Sequence, residues 1–322
     1  MMSGIKLKLM KQVTRLRNFV GNMFHNGILN EILRNPIMHI KNQKKSEIAN
    51  KITGKLQVER NEITSITDSH FFSDYSGFCQ VASENSLIFK YFRAHPTYRD
   101  VLEHVSHPFG VTYAKRLRES NRIEALKSTA LRIDNFGSPW QFYYKGFGKV
   151  SPTTLRYLYF LDCILDLFPD VQFKTICEVG GGFGGQSLAL SYHYKLEEVS
   201  FVDIQSALSL TSKFLDSNQA GFHFFCRTPD KENSKKFDLF LSNYAFSELT
   251  RQFQDFYLKN YISNSAFGFI MWNPLSFNQL DGYSLEELLD AIPGAKAMAE
   301  DPETYPGNSL IFWARDLNNL YS

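Results

Sequence analysis

The sequence predicts an α/β fold in which a seven-stranded, mainly parallel sheet follows a mostly helical N-terminal region. Three observations support this prediction. An apolar strand, Thr175–Val179, runs into five glycines within six positions and then into a helix pattern that begins at Gln186. Strand and helix patterns then alternate, which is typical of parallel strands joined by crossovers. The last two predicted strands leave too little chain for a helix between them, so this Rossmann-like sheet should end in an antiparallel hairpin.

Each later strand is predicted from a short run of apolar and β-branched residues. These runs cover 199–203, 222–226, 237–243, 267–272, 295–299 and 309–314. Helix patterns cover 207–215, 248–261 and 284–292, and Ser284 caps the last of them. A helix over 152–168 precedes the first strand, with Ser151 as its cap and Pro152 in its first turn. Its N-terminal end is expected to face the ligand cleft.

The chain is longer, at 322 residues, than one compact core usually organises. We therefore predict three regions: a basic amphipathic helical arm over 1–65, a helical acceptor-binding or lid domain over 66–150, and a ligand-binding α/β domain over 151–322. Within the helical domain, helix patterns cover 83–92, 98–105 and 113–131, and a loop rich in glycine, proline and aromatic residues covers 135–150.

Positive charge is concentrated in the arm. Residues 1–60 hold twelve Lys or Arg and three Glu, a net charge of +9, whereas the whole chain carries +2. Such a segment often meets an anionic neighbour, which could be a membrane surface, nucleic acid or another protein, although a solvated helical face is the alternative. The apolar spacing over 5–33 predicts an amphipathic helix that lies on a membrane or packs on protein. We expect a peripheral membrane or protein contact and no nucleic acid.

The cysteine pattern and the absence of long apolar runs bear on the compartment. The four cysteines form no Cys-x-x-Cys pair, which argues against a disulfide framework or a zinc site. No run is apolar enough for a transmembrane helix, and the N-terminus lacks a secretory signal. These features predict a cytoplasmic protein that could touch the inner face of the membrane through its arm. The sequence shows no cluster of oxygen ligands, so we do not predict a metal ion.

The glycine-rich segment is typical of a nucleotide-binding turn, and two patterns fit it. Gly180-x-Gly182-x-x-Gly185 matches the dinucleotide fingerprint. Glu178-x-Gly180-x-Gly182-x-Gly184 matches S-adenosylmethionine-dependent methyltransferases, in which a carboxylate closes the strand. Asp203, at the end of the next strand, would bind ribose hydroxyls in either class. The predicted hairpin favours S-adenosylmethionine, because a dinucleotide-binding sheet more naturally ends in another strand–helix unit.

Five segments together resemble the sugar O-methyltransferase family: DNFGSP (134–139), SPTTLRY (151–157), CEVGGGFGG (177–185), DIQSAL (203–208) and SNYAFSE (242–248). The resemblance covers residues 130 to 315 and lies in the order of the motifs. It implies an S-adenosylmethionine-dependent O-methyltransferase that acts on a sugar hydroxyl of a glycan or nucleotide sugar, with a role in polysaccharide biosynthesis. The alternatives are a nicotinamide-dependent Rossmann oxidoreductase and a non-catalytic scaffold of glycan assembly.

The cofactor residues predicted for such an enzyme surround the glycine turn. The turn would pass beneath the methionine part and the ribose, and Glu178 would hold the turn or the methionine ammonium. Asp203 would accept from the ribose hydroxyls, Ile204 would flank the adenine, and the fourth strand would end at the ligand. The predicted set is Glu178, Gly180, Gly181, Gly182, Gly184, Asp203, Ile204, Ser242 and Asn243.

The acceptor side of the site is predicted from fewer signals. A sugar hydroxyl is a weak nucleophile, so a general base should assist its methylation. Our candidate is Glu248, which lies just beyond the fourth strand. Alternatively, Glu248 only stabilises the N-terminal end of the next helix through the helix dipole. His104 and His107 are the other candidate bases. Arg156 is a candidate anchor for an anionic group, with a surface ion pair as the alternative. The predicted substrate-binding residues are Arg156, Tyr157 and Asn273.

Overall fold

A computed structural model of the chain describes residues 35–53, 75–120, 122–229 and 232–315. The amphipathic helix predicted over 5–33 lies outside these residues, and so does the predicted boundary between the arm and the helical domain. No helix in the described part of the chain is long and apolar enough to cross a membrane.

The N-terminal region is helical, as predicted, but its helices are shorter than expected. They are α1 (Pro36–Thr53), α2 (Tyr75–Glu84), α3 (Ser86–Phe89), a 3₁₀ turn (Phe92–Ala94), α4 (Pro96–Val101), α5 (His107–Glu119) and α6 (Ile123–Ile133). The single helix predicted over 113–131 is wrong, because the chain turns at Ser120, whose hydroxyl accepts from the Arg122 N–H at 3.1 Å. The loop predicted over 135–150 contains a hairpin of two three-residue strands, β1 (Phe142–Tyr144) and β2 (Gly148–Val150).

The seven-stranded sheet with a terminal hairpin is confirmed. Its strands are β3 (Thr175–Val179), β4 (Glu198–Val202), β5 (His223–Arg227), β6 (Phe237–Asn243), β7 (Ser265–Trp272), β8 (Lys296–Ala299) and β9 (Ser309–Ala314). They lie in the order β5-β4-β3-β6-β7-β9-β8, and β9 runs antiparallel to both of its neighbours. The strand order reverses beside β3, so the carboxyl ends of β3, β4 and β6 meet at the edge where open α/β sheets bind ligands.

The helices that flank these strands are close to the predicted ones, except that the sequence predicts no helix over Leu275–Leu280 and that the helix predicted over 248–261 begins later. They are α7 (Pro152–Leu167), α8 (Gly185–Ser191), α9 (Gln205–Ser217), α10 (Arg251–Tyr257), α11 (Leu275–Leu280) and α12 (Leu285–Ala291). Ser284 caps α12 as predicted. The helix predicted over 248–261 is wrong at its start, because a 3₁₀ turn, Ala245–Glu248, comes first. Ser242 Oγ accepts from the Phe246 N–H at 3.0 Å and holds that turn against the end of β6.

One hydrophobic cluster joins the helical region to a face of the sheet. Phe92 of the helical region lies 5.9 Å from Phe183 of the glycine turn, and Phe183 lies 4.7 Å from Phe214 of α9, between ring centroids. A second cluster, which includes Phe240 and Trp313, covers the opposite face of the sheet. The helical region therefore packs directly on the glycine turn. The three-part division of the chain stays a prediction.

A buried ion network fastens the helical region to α7. Arg93 is fully buried, and its guanidinium pairs with Glu103 and, at 3.2 Å, with Asp134. Asp134 also accepts from the Ser151 N–H and from Thr154 Oγ1, each at 2.6 Å. Buried charges are stable only when they are paired and hydrogen-bonded, and each member of this network meets that condition.

The same arginine reaches the glycine turn. Its guanidinium carbon lies 4.5 Å from the centroid of the Phe183 ring, at a distance that suits a cation–π contact. The segments 134–139 and 151–157, which stand out in the sequence, thus meet around a single buried charge.

Replacing Arg93 with Ala should lower the free energy of unfolding by about 3–5 kcal/mol, because two buried carboxylates lose their partner. The matched control is Lys174→Ala, which breaks a largely exposed pair with Glu197 and should cost about 0–1 kcal/mol. Urea unfolding followed by circular dichroism measures both variants. Equal losses would show that the network does not hold the helical region in place.

Candidate functional site

The glycine turn begins directly after β3 and depends on glycine at two positions above all. Gly180 and Gly182 have φ angles of +69° and +57°, in the left-handed region that favours glycine. A Cβ on Gly180 would lie 2.0 Å from the Ala245 Cβ, and a Cβ on Gly182 would lie 2.7 Å from Leu102 Cδ1. The backbone conformation therefore favours glycine at both positions, and at Gly180 the Ala245 Cβ leaves no room for a side chain. Leu102 brings the helical region to the turn. Gly181 and Gly184 lie in the same turn, as predicted.

Asp203 lies beside this turn, where the prediction puts it. The parallel register sets Val179 at the end of β3 opposite Val202 at the end of β4. The Asp203 carboxylate accepts from the Gly182 N–H at 3.4 Å and from the Ile204 N–H at 2.8 Å. The structure thus brings the acid, the turn and Ile204 together at one edge.

Glu178 lies beneath the turn and is almost fully buried. Its carboxylate accepts from Ser187 Oγ in the first turn of α8, so the side chain ties the end of β3 to the helix that follows the glycines. Burial raises the pKa of the Glu178 carboxyl from 4.5 to about 8, and nearby Asp203 adds to the rise. A cationic ligand group close to Glu178 would favour its charged form.

The two residues that end β6 differ in whether their polar side-chain atoms are already hydrogen-bonded within the protein. Ser242 is fully buried, and its hydroxyl donates to the Val179 carbonyl at 3.0 Å as well as accepting from Phe246. Its polar atom is therefore used within the fold. Asn243 donates from Nδ2 to Gln186 Oε1 at 3.3 Å, whereas its Oδ1 is buried with no partner among the described residues. A buried acceptor without a donor is uncommon and points to a ligand at this position.

Arg156 and Tyr157 lie in the first turns of α7, between the glycine turn and the end of β6. The Tyr157 carbonyl accepts from Gln186 Nε2 at 3.1 Å, and the Tyr157 ring packs 5.8 Å from Phe183. The Arg156 guanidinium carbon lies 5.6 Å from the centroid of the Tyr244 ring. Both residues are buried, so Arg156 does not form the exposed ion pair that was the alternative prediction.

Glu248 and Asn273 are brought together as a pair. Asn273 Nδ2 donates to Glu248 Oε1 at 2.9 Å, which leaves the second carboxylate oxygen for other partners. Burial raises the pKa of the Glu248 carboxyl, while Asn273 and the charge of Arg156 oppose the rise. Glu248 keeps some solvent contact and precedes the N-terminal cap of α10, Thr250. Its carboxylate therefore lines the edge of the sheet.

The two histidines predicted as candidate bases, His104 and His107, differ in burial and in their hydrogen bonds. His107 stacks on Phe142, and its ring nitrogens contact Asn35 Nδ2 at 2.8 Å and the Tyr144 hydroxyl at 3.1 Å, so its role is structural. His104 is exposed, yet the surrounding protein, together with the charge of Arg156, lowers its pKa to about 4. Its Nδ1 lies 2.9 Å from the Val101 carbonyl oxygen, which leaves Nε2 to face solvent.

Tyr244 and Glu300 belong to this edge but are absent from the predicted set. Tyr244 has a φ of +70°, and its hydroxyl donates to Glu300. Tyr244 could have been predicted as a site residue, because it directly follows Asn243 at the end of β6. Glu300 comes from the turn between β8 and β9, and no sequence pattern marks it as a site residue. Within the described ranges, no group of three His, Cys, Asp or Glu is placed to hold a metal ion.

Comparisons with known proteins give no match to a protein-family model and none to a curated protein. Solved structures are similar at low identity. An S-adenosylmethionine-dependent methyltransferase from Clostridium acetobutylicum aligns over 47% of this chain and 88% of its own, with 12% identity and a TM-score of 0.38. The N-terminal domain of EvdMO1, solved with SAH bound, aligns over 61% of this chain and 98% of its own, with 13% identity and a TM-score of 0.40. Neither similarity identifies an activity for this chain.

Replacing Glu178 with Gln tests the burial of that carboxyl. Because folding raises the Glu178 pKa, its contribution to stability is complete below the ordinary value of 4.5 and is lost as the pH rises through about 8. Gln does not titrate and can still accept from Ser187. Between pH 5 and pH 9, the free energy of unfolding of the wild type should therefore fall by on the order of 3 kcal/mol relative to that of the variant. Urea unfolding across this range measures the difference, and a constant offset would contradict it.

Proposed function

We propose that the chain is an S-adenosylmethionine-dependent methyltransferase that methylates a sugar hydroxyl. One arrangement supports this chiefly: Asp203 lies on one side of the glycine turn, and the unpartnered Oδ1 of Asn243 lies on the other. A carboxylate after the second sheet strand suits ribose hydroxyls. A buried acceptor and a buried carboxyl beside the turn suit the ammonium of a methionine. The antiparallel β9 favours this class over a nicotinamide-dependent oxidoreductase, and the five resembling segments support sugar as the acceptor.

The residues present fit the cofactor. Asp203 would accept from the ribose hydroxyls, while the Asn243 Oδ1 and Glu178 would bind the ammonium, and the Gly182 main chain would lie against the methionine part. When bound, S-adenosylmethionine supplies an electrophilic methyl carbon: the acceptor oxygen forms a bond to that carbon as the carbon–sulfur bond breaks, and S-adenosylhomocysteine leaves.

Glu248 would serve as the general base. Its Oε1 is held by Asn273, so the carboxylate is oriented and its Oε2 can accept the proton of the acceptor hydroxyl. A pKa raised by burial makes the carboxylate a better proton acceptor near neutral pH. His104, neutral at that pH, is the second candidate for this role. The two are separable by substitution.

Replacing Asp203 with Ala should weaken the binding of S-adenosylhomocysteine by more than about tenfold, as expected for the loss of a charged hydrogen-bond acceptor. Isothermal titration calorimetry on the full chain measures this affinity. Asp216→Ala, on the exposed side of α9, is the matched control and should bind like the wild type. Wild-type affinity in the Asp203 variant would remove this residue from the site, and binding of a nicotinamide cofactor alone would favour the oxidoreductase.

Replacing Glu248 with Gln should lower the rate of methyl transfer by about 10²–10⁴-fold, because the general base is lost. The affinity for S-adenosylhomocysteine should not change. The measurement is transfer of labelled methyl from S-adenosylmethionine to a panel of nucleotide sugars, with His104→Gln run in parallel. A larger loss in the histidine variant would reassign the base, and no transfer by the wild type to any member would favour the non-catalytic scaffold.

A further inference from the structure

The chain buries two arginines in very different surroundings. Arg93 is paired with two carboxylates. Arg156 is only 5% exposed, and no hydrogen bond or ion pair joins its guanidinium to another residue in the described ranges. Its Nε is sealed from solvent without an acceptor. The Tyr244 ring, 5.6 Å from the guanidinium carbon, offers a cation–π contact but no hydrogen-bond acceptor along the N–H directions. A buried cation that lacks hydrogen bonds is costly, which points to a ligand as its partner.

Two carboxylates, Glu300 and Glu248, interact with the charge of Arg156, and both are already engaged by other donors. Glu300 accepts from the Tyr244 hydroxyl through one oxygen, and from Asn308 Nδ2 at 2.9 Å and the Thr304 N–H at 2.8 Å through the other. Glu248 is held by Asn273. The protein thus brings acidic residues into the neighbourhood of Arg156 without giving it an ion pair.

Two more buried donors lie close to Arg156 without a partner. The Thr153 hydroxyl and the Tyr113 hydroxyl are both sealed from solvent and unbonded in the part of the chain that the structure describes. Thr153 comes three residues before Arg156 on α7, so the two side chains lie on neighbouring positions of one helix face. Burial raises the pKa of Tyr113 of α5, and the charge of Arg156 opposes the rise. The Tyr113 ring packs 5.4 Å from that of Tyr159 of α7. The described structure thus leaves two hydroxyls and the Nε of Arg156 unsatisfied in one neighbourhood.

We propose that Arg156 binds an anionic group of the acceptor, so that the substrate is an acidic or phosphorylated sugar. A guanidinium presents paired N–H donors that match a carboxylate or phosphate, and a ligand anion would give Arg156 the partner that the fold withholds. Arg156 lies next to Tyr244, between the glycine turn and the Glu248 turn, so the anion would bind beside the reacting hydroxyl. This inference rests on the proposed function.

The test compares three sugars that differ at one carbon: D-glucose, D-glucuronate and D-glucose 6-phosphate. Calorimetry on the full chain, with and without S-adenosylhomocysteine, gives their affinities. At least one anionic sugar should bind tenfold or more tightly than glucose, and the stronger of the two identifies carboxylate or phosphate as the group. Arg156→Gln should abolish this preference, Arg156→Lys should keep part of it, and Arg132→Gln, on the exposed face of α6, should leave it intact.

Stability gives a second, independent readout. Because the charge of Arg156 is unpaired without ligand, Arg156→Met should melt at the same temperature as the wild type or higher, and the anionic sugars should raise the melting temperature of the wild type alone. Equal affinity for the three sugars, a preference that survives Arg156→Gln, or no binding of either anion would overturn the inference. Failure of S-adenosylhomocysteine to bind, with the anion preference intact, would instead count against the proposed methyltransferase.

Discussion

Arg93 places a positive charge between the helical region and the sheet, and the fold closes around it. Its partners come from positions distant in the chain: Glu103, Asp134 and, through its hydroxyl, Thr154 at the start of α7. Since each buried charge needs the others, the network forms only when these segments are all in place. That requirement carries the chain after α4 to the carboxyl edge of the sheet, where Leu102 meets the glycine turn.

The polar groups of the chain fall into two kinds once this network is in place. Some satisfy one another within the fold, as Ser242 does between Val179 and Phe246. At the carboxyl edge some do not, and the Oδ1 of Asn243 and the Nε of Arg156 both lack partners in the described structure. The Asn243 Oδ1 is an acceptor, so it needs a donor or a cationic group from a ligand. The Arg156 guanidinium is a cation, so it needs an acceptor or an anion. The positively charged methionine end of the proposed cofactor and the anion of the proposed acceptor would supply these two groups.

The sheet could be predicted from sequence because its signals are local. Apolar runs bounded by turn residues give β6 and β9 to the residue, and the glycines after β3 mark the ligand edge. The β1–β2 hairpin could not be predicted in this way, because three-residue strands leave no periodicity to detect. The 3₁₀ turn before α10 depends on a hydrogen bond to Ser242, and the lack of a partner for Arg156 depends on what surrounds it. Both are properties of packing that a local pattern does not carry.

The central claim is that the glycine turn beside Asp203 is the seat of an adenosyl cofactor. A crystal structure of the full chain with S-adenosylhomocysteine tests it most directly. The ribose hydroxyls should lie within hydrogen-bond distance of the Asp203 carboxylate, the amino group should meet the Asn243 Oδ1, and the sulfur should face Glu248. An adenosine bound elsewhere on the chain, with the turn still packed only against protein, would contradict the account.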